Sequence, residues 1–215
     1  MIKNEIYTYD YFQPSEYRFS LDSVFLAQKV AQLIKNSANL STWKVLDLCA
    51  GCGIIGLELS LHQKDLTNID FVEIQEVYRD YFQRNVEMLS QDQGPKNFNF
   101  MGINYQTLLN NEYQNYYDLI VSNPPYFFKE EGLHSPNDFK NRCRFFLDSD
   151  FKTLIEATYN CLKYNAYAYL LVRNGNHHGR APLVDIKKIL GDKADSQIID
   201  NIRGTNIIEI RKKIP

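Results

Sequence analysis

The turn Asn123–Tyr126, which reads Asn-Pro-Pro-Tyr, has the groups needed to activate an amino nitrogen. The lone pair of an aryl amine or amide is delocalised, so such a nitrogen is a poor nucleophile. The side-chain oxygen of Asn123 and the carbonyl oxygen of Pro124 can accept its two N–H groups and aim the lone pair. The prolines hold the turn rigid, and Tyr126 can stack on a planar substrate, with Phe127 extending the apolar wall. The turn therefore predicts group transfer to an amino nitrogen. The alternative is an Asx-type proline turn with core aromatics.

A glycine-rich loop provides the second candidate site. The apolar run Val45–Leu48 leads into Gly51, Gly53 and Gly56, which match G-x-G-x-x-G. Glycines let the backbone approach a ligand, and the following helix presents unpaired N–H groups at its start. Glu73 ends the next apolar run, where a ribose-binding acid is expected. Loop and acid together predict a site for an adenosine-containing cofactor.

Asp47, just before this loop, indicates which cofactor binds. A dinucleotide needs its pyrophosphate at the helix N-terminus, and an acid close by would repel it. An acid there suits an ammonium group, such as the one in the amino-acid part of S-adenosylmethionine. We therefore expect S-adenosylmethionine and not NAD. In the alternative, Asp47 accepts hydrogen bonds from loop backbone N–H groups.

The cysteines raise a further possibility. Cys49 and Cys52 spell C-x-x-C, which leaves a redox pair or a metal site open. Cys143 and Cys161 are far apart in the sequence and form no second close pair, so no metal is expected. The glycine loop already accounts for small residues at both positions.

The elements that must position these groups alternate between strand and helix patterns. The tight turn at 203–205 forces the last two strands to pair antiparallel, since a parallel crossover needs about a dozen residues. The pattern predicts an α/β fold: a seven-stranded, mostly parallel sheet with an antiparallel C-terminal strand and helices on both faces, as in Rossmann-like class I methyltransferases. We predict strands at 44–48, 69–74, 98–103, 117–122, 166–173, 197–202 and 206–211, and helices at 21–35, 54–61, 75–91, 149–162 and 182–190.

Length and composition exclude several protein classes. The chain has 215 residues, 44% hydrophobic and 23% charged, which fits one globular domain and excludes general disorder. No apolar run approaches the roughly 20 residues of a membrane helix, and no secretory signal begins the chain, so a cytoplasmic location is expected. The net charge of −2 divides into −6 over residues 1–128 and +4 over residues 129–215. The C-terminal part could therefore present a basic face.

Together these segments resemble a known family. Residues 45–56, Glu73 and the Asn-Pro-Pro-Tyr turn look like the motifs of class I S-adenosylmethionine-dependent amino-group methyltransferases. Residues 17–27, Tyr-Arg-Phe-Ser-Leu-Asp-Ser-Val-Phe-Leu-Ala, are similar to bacterial tRNA(Val) adenine-N6 methyltransferases, which methylate the adenosine just 3′ of the anticodon. The resemblance covers nearly the whole chain. It implies adenine-N6 methylation of tRNA by a single domain, with residues 1–40 closing over the cofactor site and residues 41–215 forming the core.

The resemblance also implies roles for individual residues. On the cofactor side these are Ser20, Asp22, Asp47, Cys49, Gly51, Gly53, Glu73, Ile74, Asn104 and Asn123. The catalytic residues are Asn123, Pro124 and Tyr126, and the substrate-binding residues are Tyr126, Phe127, Lys129, Arg142 and Arg144. Asn104 stands where the family usually has an acid, and Arg142-Cys143-Arg144 lacks the Glu of the family's Arg-x-Glu. The basic residues after Tyr126 are expected in a long loop that contacts phosphates, or else is simply a solvated charged loop.

Other functions remain open from the sequence. A release-factor glutamine N5-methyltransferase also uses Asn-Pro-Pro-Tyr, but that family has a larger helical domain before the glycine loop. Ribosomal-RNA guanine-N2 and DNA adenine-N6 methylation use the same kind of chemistry. A non-catalytic S-adenosylmethionine-binding module and an NAD-dependent oxidoreductase are further alternatives. The intact Asn123 and Tyr126 disfavour the non-catalytic module, which has no need of a nitrogen clamp.

Overall fold

The computed structural model describes residues 10–127, 134–173 and 181–215, and these contain seven strands and six α-helices. The strands are β1 (Val45–Leu48), β2 (Asn68–Val72), β3 (Asn97–Met101), β4 (Tyr117–Ser122), β5 (Leu162–Arg173), β6 (Ala194–Ile202) and β7 (Thr205–Lys212). The helices are α1 (Leu21–Ile34), α2 (Ile54–His62), α3 (Tyr78–Gln93), α4 (Asp138–Arg144), α5 (Phe151–Cys161) and α6 (Pro182–Leu190).

The strands form one sheet in the order β3-β2-β1-β4-β5-β7-β6. β7 runs antiparallel to both of its neighbours, and the pairings among β1 to β5 are parallel. This confirms the predicted seven-stranded mixed sheet. The order reverses direction at β1, which pairs with β2 on one side and β4 on the other. In open sheets of this kind, ligands bind beyond the carboxyl ends of the strands at such a point.

The sheet is covered on both faces, which explains why its central strands are mostly apolar. All four residues of β1 are buried. Val45 packs into the core on the side of α1, α2 and α3, whereas Leu46 and Leu48 pack into the core on the side of α5 and α6. Successive side chains of a strand point to opposite faces, so a strand buried on both faces needs apolar residues at nearly every position.

Asn85, a buried residue on α3, attaches the N-terminal segment to the core. The amide of Asn85, on α3, accepts the backbone N–H of Phe12 at 2.7 Å and donates to the Phe12 carbonyl at 3.0 Å. The same amide nitrogen donates to the carbonyl of Cys52 in the glycine loop at 3.1 Å. Asn85 therefore holds the N-terminal segment and the glycine loop in a fixed relation.

The structure corrects the interpretation of the segment after the Asn-Pro-Pro-Tyr turn. Lys140, Arg142 and Arg144 lie on α4, not in a long loop. The side chain of Asn137 caps this helix by accepting the N–H of Lys140 at 3.1 Å. Seven residues give too few turns for a helical pattern to be visible in the sequence. Lys129 lies outside the described residues.

The remaining boundaries differ by a few residues. β2 ends at Val72, so Glu73 and Ile74 lie just beyond it, and α3 begins at Tyr78 and not at position 75. β5 starts at Leu162, directly after α5. Within the described ranges, no helix is long and apolar enough to cross a membrane.

Candidate active site

One pocket at the carboxyl ends of β1, β2 and β4 brings the two sequence motifs together. Of the residues expected at the site, those lining it are Ser20, Cys49, Gly51, Glu73, Ile74, Asn104, Asn123, Pro124, Tyr126 and Arg142. Five described residues expected at the site do not line this pocket. Asp47 lies in the interior, and the other four lie away from the pocket wall: Asp22, Gly53, Phe127 and Arg144. Tyr17, Phe19, Ser20 and Ser23 contribute to the wall, so the N-terminal segment forms part of the pocket.

A hydrogen bond between two strand ends aligns the motifs. The hydroxyl of Ser122, the last residue of β4, donates to the carbonyl of Leu48, the last residue of β1, at 2.6 Å. Both residues are fully buried. The glycine loop leaves β1 one residue later, and the Asn-Pro-Pro-Tyr turn leaves β4 one residue later. The starting points of the two loops are therefore fixed relative to each other.

The glycine loop needs its glycines for space as well as for backbone conformation. Gly53 has φ +87°, and a Cβ there would lie 2.8 Å from a ring carbon of Phe82. Gly56, in the first turn of α2, would bring a Cβ to 2.5 Å from Phe71. Both distances are shorter than real Cβ contacts, so a side chain at either position would displace packed aromatic rings.

Glu73 has the surroundings of a ligand-binding acid. Its carboxylate accepts the N–H of Gly51 at 3.0 Å and that of Gln75 at 2.9 Å. Burial raises the pKa of Glu73, while these two hydrogen bonds and the charge of Arg142 lower it. A carboxylate has about four acceptor positions, so two remain after these bonds. This arrangement fits the hydroxyls of a ribose, and the pocket residues therefore fit an adenosine-containing cofactor.

Asp47 lies in the interior and not on the pocket wall. It is fully buried, and Oδ2 accepts the N–H of Gly56 at 2.8 Å. Oδ1 has no hydrogen-bond partner in the described parts of the chain. Burial raises the pKa of this carboxyl to about 7. The structure thus shows the alternative interpretation, an acid bonded to backbone at the start of the helix. It tests no contact between Asp47 and a cofactor ammonium group.

The side-chain amide of Asn123 is held from both ends. Nδ2 donates to the hydroxyl of Ser23 on α1 at 2.9 Å, and the hydroxyl of Tyr126 donates to Oδ1. Burial raises the pKa of Tyr126, so this hydroxyl keeps its proton and can donate. The amide oxygen is consequently directed towards Tyr126, and the amide nitrogen towards α1.

Ser23 was missed by the sequence reasoning. It is buried, lines the pocket and contacts a residue 100 positions further along the chain. The only signal for it was its position inside the segment 17–27 that carried the resemblance. The neighbouring Asp22, a residue expected at the cofactor, accepts a long hydrogen bond of 3.4 Å from Thr205 at the start of β7.

The basic residues of α4 do not form one common edge. The guanidinium of Arg142 donates to both carboxylate oxygens of Asp148, at 2.9 and 2.8 Å, on the wall of the pocket. The guanidinium of Arg144 instead lies over the rings of Phe127 and Phe145, 5.4 and 5.5 Å from their centroids. Arg142 and Arg144 therefore have different surroundings although they are two residues apart.

Asn104 lines the pocket, and both ends of its side-chain amide are hydrogen-bonded. Oδ1 accepts the N–H of Gln106 at 2.8 Å and so caps the 3-10 turn Tyr105–Leu109. Nδ2 donates to the carbonyl of Asp148 at 2.9 Å. In this chain the position therefore connects two loops at the pocket.

The cysteines near the glycine loop are free thiols. Cys49, Cys52 and Cys143 all line the pocket, and burial raises the pKa of each. A raised pKa favours the thiol over the nucleophilic thiolate, which disfavours the redox interpretation of C-x-x-C. The described residues contain no group of three or more His, Cys, Asp or Glu side chains able to hold a metal ion.

Comparisons with known proteins point to one enzyme class. The family model "Methyltransferase small domain" matches residues 19–143. A tRNA1(Val) (adenine(37)-N6)-methyltransferase of Shewanella sp. (strain W3-18-1) is 30% identical over 164 residues, covering 71% of this chain and 66% of the relative. The chain thus spans just under two thirds of that relative's length.

Two further similar proteins are named for other methyl acceptors. A release factor glutamine methyltransferase of Leptospira interrogans is 30% identical over 152 residues, covering 67% of this chain and 50% of that protein. The Thermus thermophilus 16S rRNA N2 G1207 methyltransferase, solved with AdoMet and guanosine, superposes with a TM-score of 0.64 at 14% identity. That superposition covers 93% of this chain and 45% of the other, and shows a shared fold.

Proposed function

The chain belongs to the methyltransferase small domain family, and on that premise we propose that it methylates N6 of an adenine in tRNA, next to the anticodon. The family confirms the methyltransferase class and the S-adenosylmethionine cofactor predicted from the sequence. The observation that carries the proposal is that one pocket is lined by the glycine loop, by Glu73 and by Asn123, whose side-chain amide is hydrogen-bonded at both ends. The tRNA substrate is supported by the 30%-identical relative. We place the reaction in the cytoplasm, where tRNA is found.

The cofactor would be held by the glycine-loop side of the pocket. Glu73 would accept hydrogen bonds from the ribose hydroxyls, and the backbone at Gly51 would approach the ligand without a side chain between them. Ile74 and Asn104 line the part of the pocket expected for the adenine. When bound, S-adenosylmethionine supplies an electrophilic methyl group on its sulfonium.

The acceptor amine would be held by the Asn-Pro-Pro-Tyr turn. Oδ1 of Asn123 and the carbonyl of Pro124 would accept its two N–H groups, which localises the lone pair on nitrogen. Tyr126 uses one lone pair of Oδ1, and the second stays available for the amine. Because Ser23 engages Nδ2, the amide presents its oxygen and not its NH2 group to the acceptor. The methylated nitrogen then loses its extra proton, and no covalent enzyme intermediate is needed.

A glutamine side chain of a release factor is the second candidate acceptor. Its amide nitrogen has the same two N–H groups and the same delocalised lone pair, so the clamp suits it equally. The 30% identity to the Leptospira release factor enzyme is the specific observation in its favour. The resemblance of residues 17–27 to the tRNA enzymes supports tRNA over this candidate.

The direct test is methyl transfer from labelled S-adenosylmethionine to total RNA from a strain that lacks this gene. Nucleoside analysis of the tRNA fraction should show label in N6-methyladenosine, and the Asn123→Ala variant should give none. Label in N2-methylguanosine of ribosomal RNA would show that the acceptor is a ribosomal-RNA guanine and not a tRNA adenine. Absence of label in RNA together with label in purified release factor would favour the glutamine acceptor.

A further inference from the structure

We propose that Arg142 and Asp148 form a salt bridge in the wall of the pocket that retains the adenosine part of the cofactor, so that Arg142 serves cofactor binding and not RNA binding. The inference rests on the proposed function for the identity of the cofactor. It replaces the expectation, drawn from the sequence, that Arg142 belongs to a phosphate-binding edge. The observation behind it is the placement of this ion pair on the same wall as Glu73.

The pair has a geometry that fixes both side chains. Nε and Nη2 of Arg142 donate to the two carboxylate oxygens of Asp148 at 2.9 and 2.8 Å. An isolated, partly exposed ion pair contributes little by itself. A planar guanidinium bound by two parallel hydrogen bonds is held in one orientation, however. The pair therefore fixes α4, which carries Arg142, relative to the segment that carries Asp148.

The bridge connects the cofactor side of the pocket to the acceptor side. On one side, the carbonyl of Asp148 accepts from the amide of Asn104, which caps the turn after β3. On the other side, α4 ends at Arg144, whose carbonyl accepts the backbone N–H groups of Tyr126 and Phe127 at 3.1 and 3.0 Å. The segment between these two anchors lines the pocket, and the N–H of Phe146 also holds it by donating to the carbonyl of Phe127 at 2.8 Å. Loss of the pair would therefore release the Asp148 end of this segment from α4.

The positive charge of Arg142 also favours binding of the ribose, through its effect on Glu73. Burial raises the pKa of Glu73 and so disfavours its ionised form; the positive guanidinium of Arg142 lowers this pKa, and the negative charge of Asp148 partly offsets Arg142. An ionised Glu73 accepts hydrogen bonds from ribose hydroxyls at both oxygens. Arg142 therefore both orders the pocket wall and favours the form of Glu73 that binds ribose.

Arg144 provides a matched control. It has the same charge, lies on the same helix two residues away, and is not itself part of the pocket lining; its guanidinium lies over the rings of Phe127 and Phe145. A general effect of losing one positive charge from α4 should appear equally in both arginine variants. An effect specific to the bridge should appear only when Arg142 is changed.

The test is calorimetric binding of S-adenosylhomocysteine, which needs no acceptor, to the full chain. We expect Arg142→Ala to raise Kd about 10-fold, Arg142→Lys about 4-fold because it keeps the charge without the fork, and Arg144→Ala less than 2-fold. The same loss should occur with 5′-methylthioadenosine, which lacks the amino-acid part. Binding of tRNA at low salt should weaken no more in Arg142→Ala than in Arg144→Ala.

Each result decides the proposal. A Kd for Arg142→Ala within 2-fold of wild type, an equal loss in Arg144→Ala, or a loss that disappears with 5′-methylthioadenosine would overturn it. If circular dichroism shows that Arg142→Ala is unfolded, Arg142→Lys decides the matter by the same 2-fold limit. Wild-type protein that fails to bind S-adenosylhomocysteine would refute the proposed function and this inference together. Normal wild-type binding with an unaffected Arg142 variant would refute the inference alone.

Discussion

Replacing Ser23 by alanine tests whether the orientation of the Asn123 amide controls the rate of transfer. The substitution removes the acceptor of the 2.9 Å hydrogen bond from Nδ2 and leaves the hydrogen bond from Tyr126 to Oδ1 in place. A hydrogen bond of this kind contributes about 1 kcal/mol net, and that energy corresponds to roughly a 5-fold change in rate. We therefore expect kcat to fall about 5-fold, because a larger share of the molecules present the NH2 group to the acceptor.

Steady-state methyl transfer to tRNA, with the KM for S-adenosylmethionine determined separately, is the appropriate assay. The KM for the cofactor should stay within about 2-fold, since the lost hydrogen bond lies on the acceptor side. Ser23→Thr retains a hydroxyl and should recover part of the rate, and Ser41→Ala, at an exposed serine before β1, is the control. An unchanged kcat in Ser23→Ala, or a loss confined to KM, would show that the orientation of the amide is not set by Ser23.

Three further predictions follow from hydrogen bonds and burial in the pocket region. Asn123→Ala should abolish transfer while S-adenosylhomocysteine still binds; loss of binding in calorimetry would assign Asn123 to the cofactor instead. Ser122→Ala leaves the buried Leu48 carbonyl without its 2.6 Å donor and should cost about 1–3 kcal/mol of unfolding free energy, measured by urea titration; a cost near zero would contradict the alignment of the two strand ends. Burial raises the pKa of Asp47 from its ordinary value of 3.8 to about 7. At a pH between these two values the folded state therefore holds a proton that the unfolded state has lost. Stability should therefore fall as the pH rises from about 4 to 7, and Asp47→Asn should flatten that dependence in urea titrations at several pH values; an equal pH dependence in both proteins would show that Asp47 is not the group responsible.

The sequence was sufficient to predict the sheet and to identify the candidate site residues that follow its strands. Short apolar runs such as Val45–Leu48 can be buried on both faces only in a covered parallel sheet, and the tight turn at 203–205 required an antiparallel pair. Because parallel strands place their carboxyl ends at one edge, the positions of Glu73 and Asn123 in the chain already implied that they meet. The shared pocket is consistent with that reasoning.

The remaining parts depend on contacts that no local pattern encodes. The hydrogen bond between Ser23 and Asn123 joins positions 100 residues apart. α4 is too short to show a helical periodicity in the sequence, which therefore predicts one common surface for Arg142 and Arg144. In the helix their side chains have different surroundings: Arg142 contacts Asp148, and Arg144 lies over Phe127. Asp47 is an acid at a ligand-binding loop, and its sequence position could not distinguish a side chain on the wall from one fully buried beneath α2.

The bond between Ser122 and Leu48 has a consequence for how this fold can change its acceptor. The loop that we propose binds the methyl donor and the loop that we propose binds the acceptor start from hydrogen-bonded neighbours, β1 and β4, and adjacent strands are spaced about 4.8 Å apart by backbone geometry alone. On that proposal, the sheet would determine the separation of the two reactants, whereas side chains beyond it would determine the identity of the acceptor. Substitutions in the outer loops could exchange a nucleobase for a protein amide while the distance over which the methyl group moves stays constant.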